Sequence, residues 1–113
     1  YRQVESLEEV VESVCVGQNW QDDVRVILFV VLRDGVELTD DLREKIRSTI
    51  RRETTPRHVP ATILQVADIP KTRSGKIAEV AVRDVVNGKV VGNLASLCNP
   101  EALDFFRDLK ALR

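Results

Sequence analysis

Methionine is missing from all 113 residues, histidine and tryptophan occur once each, and aromatic residues make up 4%. So few rings leave little to stack on bases, which argues against an RNA-recognition surface. A single histidine, His58, and two distant cysteines, Cys15 and Cys98, all but exclude a four-ligand zinc site, so no metal is expected. An excess of charge is lacking too. Lys+Arg number 17 against 18 Asp+Glu, for a formal net charge of −1, so no whole-molecule field recruits nucleic acid or an anionic membrane, and neither partner is expected. The longest apolar run, VILFVVL at 26–32, is far too short to span a bilayer, and no secretory pattern precedes it.

What is present is an ordinary globular composition, 43% hydrophobic and 31% charged. The length suits one domain, residues 1–113, with a modest core, and rules out a barrel enzyme. Two reduced, partly buried thiols in a cytoplasmic protein are expected, with a single disulfide as the alternative. The chain opens on Tyr1-Arg2-Gln3-Val4, already inside an apolar pattern, and reads as a piece of a larger protein.

Val4, Leu7, Val10/Val11 and Val14 keep helical spacing, but residues 10–16 are also Val-rich and partly alternating. Helix and strand both fit there. Residues 17–23 read as a polar loop and 24–33 as a strand buried on both faces, closed by an Asp34-Gly35 turn. Thr39 with Asp40 and Asp41 opens a helix whose buried face is Leu42, Ile46 and Ile50, and which ends at Thr54-Thr55-Pro56. Residues 61–66 fit a strand, 69–76 a loop, and 77–86 stay ambiguous before Asn87-Gly88. Asn99 is the N-cap of a last helix with Pro100 at its first position and Leu103, Phe106 and Leu109 along one face. The sum is an α+β domain: a short mixed or antiparallel sheet flanked by about three helices.

Chemistry concentrates in Pro70-Lys71-Thr72-Arg73-Ser74-Gly75-Lys76, which sets three cations and two hydroxyls between a rigid proline and a permissive glycine. Such a loop suits phosphate oxygens. It is no P-loop, because Pro70 stands where that motif needs glycine and Ile77 where it needs Ser or Thr. On composition alone, a solvated basic loop is the simpler reading. The helix bearing Arg43, Arg47, Arg51 and Arg52, with Arg57 at its exit, is likewise either a phosphate-contacting patch or a solvated face balanced by Asp40, Asp41, Glu44 and Glu53. Ser74, Cys98 and His58 have no triad partners nearby in sequence, so nucleophilic catalysis is unsupported.

IPKTRSGKI at 69–77 resembles the late lysine motif, P-K-T-x-S-G-K, of the adenylate-forming acyl-CoA synthetases. VCVGQ at 14–18, the strand at 24–33 and the helix and exit at 42–60 resemble other parts of that family's small C-terminal domain. Acetyl-CoA-forming members typically follow the motif with I-M-R-R. Here IAEVAVR, then Asn87-Gly88-Lys89, then Asn99-Pro100-Glu101-Ala102-Leu103-Asp104 follow, and these resemble the acetoacetyl-CoA-forming branch.

The resemblance implies a parent ligase that turns acetoacetate, ATP and CoA into acetoacetyl-CoA, AMP and pyrophosphate through an acyl-adenylate, with Mg²⁺ on the ATP. It implies that Lys76 is the adenylation lysine, that Thr72, Arg73, Ser74 and Gly75 shape its loop, and that Arg51, or Arg52 after a one-residue shift, contacts CoA. It further implies a mobile domain with its hinge and an N-terminal ATP- and acyl-binding domain lying before Tyr1. The isolated fragment would then be inactive, and an acetyltransferase and deacetylase acting on Lys76 would be further partners. The alternatives are a synthetase for acetate or another short- or medium-chain acid, and a basic-helix nucleic-acid-binding or protein-interaction module.

Overall fold

A computed structural model describes residues 5, 7–20, 23–53, 60, 62–92 and 94–107. Its centre is strand β2, Asp23–Leu32, whose side chains are buried alternately on two sides. Ile27 and Phe29 join one cluster, Leu28, Val30 and Leu32 the other. This is why the run is apolar without alternation: both faces are covered.

Strand β1, Val10–Trp20, pairs antiparallel with β2. Val10 lies opposite Leu32 and Glu12 opposite Val31, so Val11 is the extra residue of a bulge. The bulge reverses the side-chain parity and sends Val10 to one face but Val14 and Val16 to the other. It also spoils the period of two, which left helix and strand indistinguishable here by spacing. The polar loop expected from Gly17 onward is corrected, since the ladder runs on through Gln18 opposite Arg25 to Trp20 opposite Asp23. Long-range partners override the polar composition. Gln18 Oε1 accepts from Arg25 Nε at 2.7 Å, and the Asn87 side chain accepts from Asn19 N and donates to the Gly17 carbonyl.

Helix α1, Asp40–Glu53, starts as expected. Thr39 Oγ1 accepts the Leu42 N–H at 3.2 Å, and Asp40 and Asp41 occupy the first turn. Its buried Leu42, Ile46 and Ile50 cover Val10, Leu28, Val30, Leu32 and Ile63. The stop at Thr54-Thr55-Pro56, together with Arg57 and His58, lies outside the described residues. Strand β3, Thr62–Gln65, joins the other edge of β2 in parallel, giving the order β1-β2-β3 and a mixed sheet.

The second face is covered by helix α2, Glu79–Val86, through Val82 and Val85, and by a 3₁₀ helix, Pro100–Phe106, through Leu103 and Phe106. The ambiguous segment 77–86 is thus helical from Glu79. Phe106 meets Phe29 edge-to-face, 4.7 Å between ring centroids. Leu103 and Phe106 come from successive turns of this 3₁₀ helix and are both buried; Leu109 lies outside the described residues. Leu94–Ser96 forms one further 3₁₀ turn. No disulfide joins Cys15 to Cys98, and Cys98 is exposed rather than partly buried. Among the described residues no helix is long and apolar enough to cross a membrane.

Candidate functional site

The lysine loop rises from a buried foot at Ile69 and Pro70. Lys71 and Ile77 pair as an isolated antiparallel bridge, so residues 72–76 form a tight tip. Thr72 donates its N–H to the Lys76 carbonyl at 2.7 Å and accepts the Gly75 N–H on its own carbonyl at 2.9 Å. Gly75 sits at φ +87°, a region other residues enter only with strain. Thr72 Oγ1 lies 2.9 Å from Ser74 Oγ and accepts the Lys76 N–H at 3.3 Å.

A second strip of chain lies along the other side of the stem. Thr72 bridges to Leu97, the Cys98 N–H donates to the Lys71 carbonyl, and Arg73 donates from N to the Ser96 carbonyl and from Nε to the Ala95 carbonyl. Asn99 closes the arrangement. Its Oδ1 accepts the Lys71 N–H at 2.6 Å, while Nδ2 donates to Asp68 Oδ2 and the Ile69 carbonyl at 3.0 Å each. The expected N-cap is only half realised. The Asn99 carbonyl accepts the Ala102 N–H, but the side chain makes no cap bond, because it is spent on the loop.

The three loop cations are sorted by their surroundings. Lys71 is a quarter exposed, with Nζ 2.9 Å from Glu12 Oε2 and 3.7 Å from Asp68 Oδ1. The Glu12 contact holds its ammonium above the ordinary lysine value; partial burial pulls the other way and Asp68 adds to the rise. Arg73 is bound to a carbonyl. Lys76 is exposed, and among the described residues its ammonium has no ion pair. A groove of about 340 Å³ beside the loop is walled by Thr72, Ala78, Glu79, Asp84 and Leu97, without Lys76. Its two carboxylates make it a poor receptor for a polyphosphate, and Lys76 is not among its walls.

Arg51 and Arg52 both project exposed from the last turn of α1. Arg51 is 3.9 Å from Glu44 Oε1. The arginines therefore belong to the layer on the opposite side of the sheet from Ile69, Ile77 and Ala78, and the lysine and the arginines are presented by different layers. Arg43 pairs with Asp40 and Lys45 with Glu9, so the helix carries interleaved charges rather than one basic face. Spacing offered no sign of Asn99 or Glu12 at this site; both reach it only through the fold.

Residues 3–76 match the family model described as AMP-binding enzyme C-terminal domain. The chain is 58% identical over 113 residues to the acetoacetyl-coenzyme A synthetase of Rhizobium meliloti, covering all of this chain and 17% of that protein. The solved acetoacetyl-CoA synthetase from Streptomyces lividans overlays with a TM-score of 0.85 at 36% identity, over 96% of this chain and 17% of that one. An acyl-CoA synthetase from Brucella canis overlays at 0.63 and 32% identity, over 74% of this chain and 16% of its own. The chain thus spans about a sixth of the proteins it matches.

Proposed function

The chain belongs to the AMP-binding enzyme C-terminal domain family, and from that premise we propose that it is the mobile, lysine-bearing domain of an acetoacetate–CoA ligase. One observation carries the reading. Of three cations on a braced loop, two are engaged by the protein and the third, Lys76, stands exposed, at the place of the lysine in the motif that IPKTRSGKI resembles.

In the first half-reaction a carboxylate oxygen of acetoacetate attacks the α-phosphorus of Mg²⁺-ATP and pyrophosphate leaves. Two anions must approach each other, and an ammonium between them offsets the repulsion. At about 4 Å and an effective dielectric of about 20, one such contact is worth about 4 kcal/mol, roughly a thousandfold in rate. Gly75 gives the tip its turn, and Thr72, Ser74 and Arg73 hold it in shape. Mg²⁺ would arrive with the nucleotide, as part of the substrate.

In the second half-reaction the CoA sulfur attacks the adenylate carbonyl and AMP leaves. The domain turns between the steps, about a hinge before Tyr1, against an N-terminal domain of the same polypeptide that binds ATP and acetoacetate. Arg51, or Arg52 beside it, then meets the CoA phosphates. The weak pair with Glu44 gives way cheaply to the bidentate grip a guanidinium makes on phosphate. An exposed lysine is also open to reversible acetylation, which would remove the charge and hence the first step. Cysteines outside any disulfide agree with a cytoplasmic enzyme.

The whole-chain likeness to acetoacetyl-CoA synthetases supports acetoacetate as the acyl substrate. Competition between acetoacetate, acetate and butyrate for acyl-dependent pyrophosphate release by the complete enzyme tests it. Acetoacetate is expected to win; preference for acetate or butyrate would transfer the domain to another acyl-CoA synthetase.

A further inference from the structure

The family match ends at Lys76, yet the segment at 94–99 grips the loop that carries this lysine. The grip is mostly backbone to backbone, through the Thr72–Leu97 bridge and the bonds from Arg73 and Cys98. Asn99 is the side chain that completes it, touching Asp68, Ile69 and Lys71 at once. Because Lys71 pairs with Ile77 across the stem, fixing residues 68–71 also fixes where the strand leaving Lys76 begins. An asparagine before a helix ordinarily bonds the helix's own first amides. Here it forgoes that bond, and the loop receives both ends of its amide.

We propose that residues 94–99 are a clamp on the lysine loop and that Asn99 is a positioning residue acting through Lys76. The clamp lies past the residues that match the family model, 3–76. The inference rests on Lys76 being the adenylation lysine. A charge that must sit between two anions tolerates little drift, and a misplacement of about 1 Å costs on the order of 100-fold.

The test uses the complete enzyme with Asn99→Ala and Asn99→Asp, each alone and combined with Lys76→Ala. Two half-reactions are followed: acetoacetate-dependent pyrophosphate exchange, and thioester formation from supplied acetoacetyl-adenylate and CoA. Both Asn99 variants should lower exchange by roughly 10- to 100-fold while thioester formation stays near that of the unaltered enzyme. Asp shares the loss because it cannot donate to Ile69 and sets a second carboxylate against Asp68. In the Lys76→Ala background Asn99→Ala should cost nothing more, since the group it positions is gone. Unchanged exchange in either Asn99 variant, equal loss of both half-reactions, or a full additional loss on top of Lys76→Ala would each overturn the clamp. Normal exchange in Lys76→Ala alone would instead remove the adenylation reading, and the clamp with it.

Discussion

The arginine-bearing end of α1 and the lysine loop carry the same sign of charge on opposite layers of one sheet, and they hold it in opposite ways. Arg51 and Glu44 are both more than half exposed and 3.9 Å apart, a pairing worth at most about 1 kcal/mol. The helix beneath is secured by local means: a threonine cap, first-turn carboxylates and an apolar stripe at four-residue intervals. The loop's tip has a local turn within residues 72–76, but its stem is held from afar. Its stem is tied to residues 95–99, its neighbouring lysine is neutralised by Glu12, and one ammonium remains. A charge that must be placed to within an ångström is braced from several directions. One proposed only to meet a flexible, multiply charged ligand sits exposed at a helix end.

Four experiments on the complete enzyme sharpen or break this contrast. Lys76→Ala should lower acetoacetate-dependent pyrophosphate exchange by about a thousandfold or more, and Lys76→Arg should not restore it, because a broad fork places its charge differently. A variant within tenfold of the unaltered enzyme would make the loop the solvated basic turn that composition suggests. Arg51→Ala should cost roughly 1.5–3 kcal/mol, on the order of 10- to 150-fold, in the CoA-dependent step alone. If only Arg52→Ala has that effect, the contact moves one residue along. Thr39→Ala should lower stability by about 1 kcal/mol in a denaturation experiment with both half-reactions intact, since α1 needs its cap to fold and not to react.

The smallest effect is one of pH. Lys71 titrates above its ordinary value of 10.5 in the fold, chiefly through Glu12. A raised lysine stabilises while it is charged, so its contribution is complete below its unfolded value and fades as pH rises through the folded one. Between about pH 9 and 12 the stability advantage of the unaltered protein over Lys71→Met should therefore shrink. A constant difference would mean that the Glu12 contact contributes nothing.

The same contrast decides what could be read from the chain. Everything about α1 that rests on neighbours in sequence, from Thr39 to the stripe of Leu42, Ile46 and Ile50, was legible. The lysine motif was legible as chemistry, but its support was not: Asn99 lies 28 residues from Lys71, and a competing local signal made it a helix cap. The ends of β1 were hidden by a bulge at Val11 and by polar residues whose partners come from β2 and Asn87. The last helix showed its buried residues but not its 3₁₀ form, because i and i+3 spacing serves either helix.

The most direct measurement takes the Lys76→Ala enzyme and supplies it with acetoacetyl-adenylate and CoA. If Lys76 serves only the adenylation step, acetoacetyl-CoA should form at close to the rate of the unaltered enzyme, because in the proposed cycle the domain turns the loop away from the reacting carbon. Loss of this second half-reaction to the same degree as the first, in a protein that remains folded, would contradict the account and make Lys76 a structural residue or one that serves both states.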